Sequence, residues 1–498
     1  MLELKIIMLR KKKIYLFVLV LIIFIGAFFR FYRYSERVTF DADSGRDAFV
    51  AIEGSKTLQM PLTGPFISIA PVTTGPWYWY QLILFRFAVR SVYSPWIYLG
   101  ILSILMILIM YRIGVLLESR LFGLILAAIT ALSPQQISTA YWLTNPSTIG
   151  VFSALAICLF LEIVLRKRNP VWGLFLGFIA GIAVTSHYQS LPLFLLVLYL
   201  LFYKKYRTFA YSIAGIVIAS IPLVLFELNN HWFNTRNMID YLRFGQYRIW
   251  TSMRWLTFIS DFWPKFWVFA VGGTKTLGLF LMVFSGIAIV FKILFSPIRK
   301  TYLLLFINYF IAVIIIRYYR GERFFGYLQY FHPYLFILTG LVLYSLWKNK
   351  FKKWLGPLGI TTYCLLIIPS TIATIEPYGV TQYTNNIYSR IISEWGDKKY
   401  SFFDCEGTNI NNSRSIALIL ELHGKLDPKS KNKLIYLYGD CQLPKLSDSP
   451  ADKIFPNIDV VYDVSSVTQA TVLESKGRPL TPAREYQSSA RWWFEEQP

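Results

Sequence analysis

Long apolar stretches alternate with short polar stretches along the first three quarters of the chain. One helix needs roughly 20 apolar residues to cross a bilayer core of about 30 Å, and the sequence supplies such stretches repeatedly. The pattern therefore predicts an α-helical polytopic membrane protein. The eleven predicted spans cover approximately 14–29, 95–110, 121–132, 148–165, 171–185, 191–202, 211–226, 276–294, 302–316, 326–347 and 355–368.

Basic residues between the spans predict the orientation. The first span follows "LRKKK" and lacks a small-x-small cleavage site, so we interpret it as a retained signal anchor with a cytoplasmic N-terminus. The other predicted inner loops, such as "RKRN" and "KKYR", are also short and basic, as the positive-inside rule requires. We therefore expect a multi-pass protein of the plasma (inner) membrane, with residues 30–94 as its first extracytoplasmic loop.

The last part of the chain has a different pattern. Segments such as "KYSFFDCEG" and "KLIYLYGDC" resemble short strands, and "SRSIALILELHGK" resembles an amphipathic helix. We predict a membrane domain at 1–371 and a small α/β domain at 372–498, which an odd number of spans places outside the cytoplasm. A disulfide between Cys405 and Cys441 is an open alternative if that compartment is oxidising.

Composition supports the membrane assignment and excludes a nucleic-acid partner. The chain is 55% hydrophobic and only 16% charged, a combination that is rare in soluble globular proteins. Its net charge of +22 comes from the membrane part, because residues 1–371 carry 36 Lys and Arg against 12 Asp and Glu. These basic residues cluster in short loops, so membrane topology explains them better than a polyanion does.

The scarce acids of the membrane part gather in "TFDADSGRDAFVAIEG", directly after the first span. A carboxylate shielded at the membrane surface is a candidate general base, which makes Asp43 and Asp41 the candidate catalytic residues. The same pair is also the candidate site for a divalent metal ion, should the protein use one. Arg46 either holds an aspartate ionised and oriented or binds a phosphate, and Asp47 is a candidate cavity residue.

Arginines in predicted outer loops form a second group, although the positive-inside rule should deplete them there. Arg317, Arg320 and Arg323 lie together in "RYYRGERFF". Such arginines suit an anionic group anchored in lipid, and the alternatives are ordinary headgroups or pairing with nearby acids. The same alternatives apply to four further arginines in the long outer loop: Arg236, Arg243, Arg248 and Arg254.

Single polar residues at the outer ends of spans form a third group. His187 lies in "TSHYQS", His332 in "QYFHPY", Asn145 in "LTNP" and Glu227 in "PLVLFELNN". Polar groups at such positions are often functional in membrane proteins, so we consider them candidate residues of the substrate cavity. The alternative is that they are hydrogen-bonded structural residues. The sequence has no P-loop and no zinc-protease or serine-hydrolase motif, which favours a preactivated, lipid-borne substrate.

The arrangement resembles the GT-C superfamily of membrane glycosyltransferases, especially protein O-mannosyltransferases and aminoarabinose transferases. The resemblance rests on "DSGRDAF" in the first outer loop, the following "GPWYWYQL", the "SP…NP" loop, "SHY" and "FHPY". It assigns the catalytic aspartate to Asp43 and the motif's arginine to Arg46. Ser44 stands where the family typically has Glu, and Asp41 offers a rival register for the motif.

The resemblance implies an inverting transfer from a polyprenyl-phosphate sugar to a glycan, lipid or protein acceptor on the extracytoplasmic side. Asp43 would take the acceptor proton, and Arg46 with Arg317, Arg320 or Arg323 would stabilise the leaving phosphate. The alternatives are a glycan ligase or polymerase and a flippase or transporter of lipid-linked sugars. A transporter predicts internal repeats and midplane charges, whereas here the acids cluster at the outer surface.

Overall fold

The computed structural model describes residues 2–38, 42–67, 71–244, 254–318, 324–347, 354–377, 379–405, 410–437, 460–463 and 477–479. Helices dominate this part of the chain. The first ten are α1 (Leu2–Phe31), α2 (Tyr34–Arg37), α3 (Ala42–Thr57), α4 (Trp77–Ala88), α5 (Ser94–Leu117), α6 (Arg120–Leu132), α7 (Pro134–Ser138), α8 (Ile149–Leu165), α9 (Trp172–Ser186) and α10 (Leu193–Phe202). The others are α11 (Tyr206–Asn229), α12 (Phe233–Arg243), α13 (Arg254–Thr257), α14 (Trp263–Trp267), α15 (Lys275–Phe295), α16 (Arg299–Tyr318), α17 (His332–Trp347), α18 (Leu355–Ala373), α19 (Gly379–Trp395) and α20 (Ile410–Leu422).

Eight helices in the described residues are long and apolar enough to cross a membrane. Three shorter apolar helices, Arg120–Leu132, Trp172–Ser186 and Tyr188–Phe202, coincide with the remaining predicted spans. The prediction of a polytopic helical membrane protein is therefore confirmed, and each of the eleven predicted stretches is helical. The shorter helices begin beside Ser or Pro residues, which cap or break a helix and so limit its length.

The tightest helix pair in the bundle joins α9 and α11. A Cβ atom added to Gly177 would lie 1.8 Å from the carbonyl oxygen of Ser212, and one added to Gly215 would lie 2.2 Å from that of Leu174. Small residues on both helices therefore allow the two backbones to touch, as is usual for helix pairs in membranes.

The connecting segments lie alternately at two ends of the bundle. At one end, α3 lies near the segment between α6 and α8, because the Ser44 hydroxyl donates to the Leu143 carbonyl at 3.3 Å. At the opposite end, Glu118 after α5 accepts a hydrogen bond of 2.7 Å from Tyr302 on α16. We call these the α3 end and the opposite end, and the alternation agrees with the predicted order of spans.

The C-terminal part contains a four-stranded sheet of order β3-β2-β1-β4. Its strands are β1 (Ser401–Cys405), β2 (Lys433–Leu437), β3 (Val460–Asp463) and β4 (Gly477–Pro479). β1 and β2 are parallel, with Phe403 opposite Ile435, and the two outer pairs are antiparallel. Cys441 lies outside the described residues, so its pairing with Cys405 stays a prediction.

This C-terminal part shares one hydrophobic core with the segment between α1 and α5. Phe49 and Ile52 of α3 and Trp79 of α4 belong to the same buried cluster as Ile416 of α20 and Phe402 of β1. At the contact, a Cβ atom added to Gly45 would lie 2.9 Å from the Cβ of Arg414. The C-terminal part therefore packs directly on α3, and the predicted division at residue 371 separates segments that fold against each other.

Candidate active site

The acidic motif forms the first turns of α3 and is organised around Arg46. Its Nη1 donates to Oδ1 of Asp43 at 2.7 Å, and its Nε donates to Oδ1 of Asp47 at 2.9 Å. The indole Nε1 of Trp79, on α4, donates to the same Asp47 oxygen at 2.9 Å. Helical spacing of three residues brings Asp43 and Arg46 onto one face, so a single guanidinium bridges two carboxylates.

The two carboxylates differ sharply in exposure. The Asp43 side chain is 54% exposed, whereas that of Asp47 is fully buried. Burial raises the pKa of the Asp47 carboxyl, and the charge of Arg46 and the hydrogen bonds from Arg46 and Trp79 oppose that rise. Burial alone would lower the pKa of Arg46, but Asp47 and Asp43 raise it above its ordinary value. Asp47 therefore anchors Arg46, and Arg46 presents Asp43 to the surface.

The segment between α6 and α8 connects α3 to the second half of the chain. Leu143 accepts the hydrogen bond from Ser44, and its neighbour Trp142 packs edge-on against Phe324 at 5.0 Å between ring centroids. Gly326 lies close beside Trp142, because an added Cβ would be 2.8 Å from the indole ring. The region that follows "RYYRGER" thus reaches the same end of the bundle as the acidic motif.

His187 and Asn145 lie together at this end. The Asn145 side-chain amide donates to the Ser186 carbonyl at 2.8 Å, and the His187 ring lies 5.6 Å from that of Tyr327. His187 is half-buried with its Nδ1 atom fully enclosed, and burial lowers its pKa to about 4, so the imidazole is neutral near pH 7. Among the described residues, Nδ1 of His187 has no hydrogen-bond partner. A buried polar atom in this state suits a polar ligand or water.

Glu227 lies at the end of α11 and caps the next helix. Its carboxylate accepts from the backbone amides of Asn234 and Thr235 at 3.0 Å each, and from the Thr235 hydroxyl at 2.7 Å. Asn234 in turn binds the backbone amide of Thr73 through its Oδ1 at 2.7 Å. These contacts make Glu227 a structural group that fixes α12 against the first connecting segment; its predicted place in the substrate cavity stays a prediction.

His332 lies deeper in the bundle, at the start of α17. Its Nδ1 contacts the side-chain amide of Gln136, which also donates to Oε1 of Gln329 at 3.2 Å. Within the described residues, Nε2 of His332, Nε2 of Gln329 and both amide atoms of Gln135 have no partner. Gln136, Gln329 and His332 form a second polar cluster below the α3 end. Its glutamines were not predicted, because isolated Gln residues carry no spacing signal.

The predicted arginines are described only in part. Arg317, at the end of α16, is buried and lies over the Trp255 ring at 4.5 Å. Arg320, Arg323 and Arg248 lie outside the described residues, and so does the alternative base Asp41. Their roles stay predictions.

Metal binding is likewise a prediction. The described residues contain no group of three or more His, Cys, Asp or Glu side chains that would hold a metal ion. The predicted pair of Asp41 and Asp43 includes a residue beyond the described ranges.

Two comparisons with known proteins bear on this arrangement. A family model described as dolichyl-phosphate-mannose-protein mannosyltransferase matches residues 76–232. The crystal structure of ArnT from Cupriavidus metallidurans bound to undecaprenyl phosphate superposes with a TM-score of 0.59 at 14% identity, covering 89% of this chain and 97% of that one. The chain therefore has the same fold as this ArnT structure, and the family model matches less than half of the chain.

Two further solved structures match less completely. The Archaeoglobus fulgidus oligosaccharyltransferase in complex with Zn and sulfate gives a TM-score of 0.52 at 15% identity, covering 76% of this chain and 56% of that one. The archaeal oligosaccharyltransferase AglB, also from Archaeoglobus fulgidus, in complex with an inhibitory peptide and a dolichol-phosphate, gives 0.50 at 14%, covering 76% and 60%. No curated protein matches the sequence. At these identities the structural matches show the fold alone.

The family model covers only part of the candidate site. It begins at Pro76, directly before α4, and includes Trp79, Asn145, His187 and Glu227. The acidic motif on α3 lies before the matched residues. The assignment of Asp43 therefore depends on the contacts of α3 and on the motif itself.

Proposed function

We propose that this protein is a GT-C glycosyltransferase that moves a sugar from a polyprenyl-phosphate donor to an acceptor hydroxyl on the extracytoplasmic side, with Asp43 as the general base. One observation carries the proposal. Asp43 presents an exposed carboxylate that is held by Arg46, which is itself fixed by the buried Asp47. A general base must be accessible and oriented, and this arrangement provides both properties.

The chemistry is a single inverting displacement. The Asp43 carboxylate takes the proton from the acceptor hydroxyl as that oxygen bonds to the anomeric carbon. The bond between the anomeric carbon and the phosphate oxygen breaks on the opposite face, and the polyprenyl phosphate leaves with the electron pair. The developing charge on the phosphate then requires cations near the leaving oxygen.

Arg46 has two possible tasks, and its contacts support the first. It donates to both carboxylates, and its side chain is only 16% exposed, so we assign it to orienting Asp43. The predicted contact between Arg46 and the donor phosphate would use the guanidinium N–H groups that do not bond Asp43 or Asp47. We assign most phosphate binding to Arg317, Arg320 and Arg323, which lie on the segment before Phe324.

The polar groups around His187 and His332 are the proposed binding site for the sugar. His187 and His332 each keep one buried ring nitrogen without a partner among the described residues, and His332 is fully buried whereas His187 is half-buried. Sugar hydroxyls both donate and accept hydrogen bonds, so they suit unpaired imidazole and amide groups. We propose that Asn145 and Asp47 shape this cavity, and that Glu227 supports it through α12.

The donor class is supported by the solved relatives. The matching ArnT structure holds undecaprenyl phosphate, and the matching AglB structure holds a dolichol-phosphate. The proposed acceptor is a glycan, lipid or protein hydroxyl. The proposed topology places the N-terminus in the cytoplasm, with the α3 end and the C-terminal part outside, because basic residues gather at the opposite end.

The test is release of polyprenyl phosphate from polyprenyl-phosphate sugars by the purified full-length protein. The assay compares the wild type with Asp43→Asn and Asp41→Asn, which separates the two registers of the motif. Glu36→Gln is the matched control, because Glu36 is an exposed acid on α2 that pairs with Arg33. We expect loss of turnover only in Asp43→Asn. Equal loss in the control, or loss only in Asp41→Asn, would overturn the assignment.

A further inference from the structure

A cavity of about 1000 Å³ lies at the opposite end of the bundle from the candidate active site. It is lined by the last turns of α5, α8 and α17 and by the second half of α15. Helices α8 and α17 start near Asn145 and His332 and finish at this cavity. The cavity is thus separated from Asp43 by the length of the bundle.

One wall of the cavity is apolar and faces the surroundings of the bundle. Phe284, Ile287, Phe291 and Phe295 of α15 line it, and each is 44% to 69% exposed. The lined part of α15 from Phe284 to Phe295 rises about 17 Å at 1.5 Å per residue. That length is close to the depth of one leaflet, which is half of a hydrocarbon core of about 30 Å. An acyl chain lying along α15 would therefore contact this apolar wall over the depth of one leaflet.

The end of the cavity is polar and cationic. Lys292 pairs with Glu118, which also accepts from Tyr302 at 2.7 Å, while Tyr344 bonds Ser119 at 2.9 Å. These contacts fix Lys292 at the end of the apolar wall. Arg166 also lines the cavity and is exposed, and the described residues provide no ion pair for it.

We propose that this cavity binds one anionic phospholipid from the leaflet at the opposite end, which is the cytoplasmic leaflet in the proposed topology. The phosphate group would contact Arg166 beside the Lys292–Glu118 pair, and one acyl chain would lie along Phe284, Phe291 and Phe295. Basic pockets between spanning helices bind anionic headgroups in this way. The site takes a phospholipid that is not a substrate, at the other end of the molecule from the transfer reaction.

The test is lipid retention by the purified full-length chain in detergent, measured by native mass spectrometry with phosphatidylglycerol or phosphatidylcholine. The wild type should retain one phosphatidylglycerol in preference to phosphatidylcholine. Arg166→Gln should weaken phosphatidylglycerol binding about fivefold, the effect of one basic group near an anionic headgroup. Arg120→Gln is its control, because Arg120 is exposed at the same end but does not line the cavity.

A second pair of variants tests the apolar wall. Ile287→Trp narrows the cavity and should abolish retention, whereas Val283→Trp, one turn away on the same helix, should leave it unchanged. Both positions are more than half exposed, and Val283 does not line the cavity. Equal retention of both lipids by the wild type would overturn the proposal. So would equal weakening in Arg166→Gln and Arg120→Gln, or equal retention in the two tryptophan variants.

Discussion

Arg46 donates through Nε to Oδ1 of Asp47 at 2.9 Å, and the Asp47 side chain is fully buried. A buried carboxylate is stable only when it is paired and hydrogen-bonded, so this contact fixes both residues. The other end of the guanidinium reaches the exposed Asp43. The position of the proposed base thus depends on the buried Asp47, through Arg46.

Replacing Asp47 by Asn tests this positioning role. The amide keeps the volume of the side chain but removes the charge that holds Arg46. We expect turnover to fall about 10- to 100-fold, as is typical when a reacting group is misplaced, while donor affinity changes little. Steady-state kinetics should show the change in kcat and not in KM. Asp240→Asn, at an exposed acid on α12, is the control and should leave both constants unchanged.

The contact between α3 and α20 predicts a steric effect at Gly45. Gly45→Leu would drive a side chain into Arg414, whose Cβ lies 2.9 Å from the position of an added Cβ. Overpacking of this kind typically costs about 1–3 kcal/mol, so thermal unfolding should begin at lower temperature. Gly286→Leu is the matched control, because no atom lies within 4 Å of an added Cβ there. Equal melting of the two variants would contradict the observed packing.

The lowered pKa of His187 predicts a loss of stability in acid. Its folded pKa of about 4 lies below the ordinary value of 6.5, so the unfolded chain binds the proton first as pH falls. At pH 7.5 the imidazole is neutral in both states, so it does not change the free energy of unfolding. Between pH 7.5 and pH 5 the free energy of unfolding should fall by about 2 kcal/mol. Unfolding measured at both pH values should show a smaller difference in His187→Gln. An unchanged difference would show that His187 is protonated in the folded protein.

Substitution of Glu227 tests whether its role is structural or whether it contacts the substrate. Glu227→Ala removes the acceptor for two backbone amides and a hydroxyl at the start of α12. We expect about 2–3 kcal/mol of lost stability, with turnover per folded molecule within about threefold of the wild type. Glu227→Gln keeps an acceptor oxygen and should be milder. A stable Glu227→Ala variant without turnover would instead place the carboxylate against the substrate.

The sequence predicted the membrane architecture well because apolar length is a local property. Every predicted span is helical, and the acidic motif lies in the first segment after a span, as expected. The pairing of Arg46 with Asp43 fits helical spacing and agrees with one of the two roles that the sequence predicts for Arg46. These features depend on neighbours in the sequence.

Other features depend on contacts between distant segments. Trp79 lies 32 residues from the Asp47 carboxylate that it binds, and Gln136 lies 196 residues from His332. The packing of α20 on Gly45 joins the two parts of the chain that composition had separated. Hydrophobic patterns identify that a face is buried, but they do not identify its partner.

The most direct test of the central claim is the single-turnover rate of Asp43→Asn with polyprenyl-phosphate sugar and acceptor both saturating. Loss of a general base typically costs 10²- to 10⁴-fold, so we expect the rate to fall by at least about 100-fold. Donor affinity, measured separately by equilibrium binding, should stay within about threefold of the wild type. A rate within about threefold of the wild type would show that Asp43 does not take the proton.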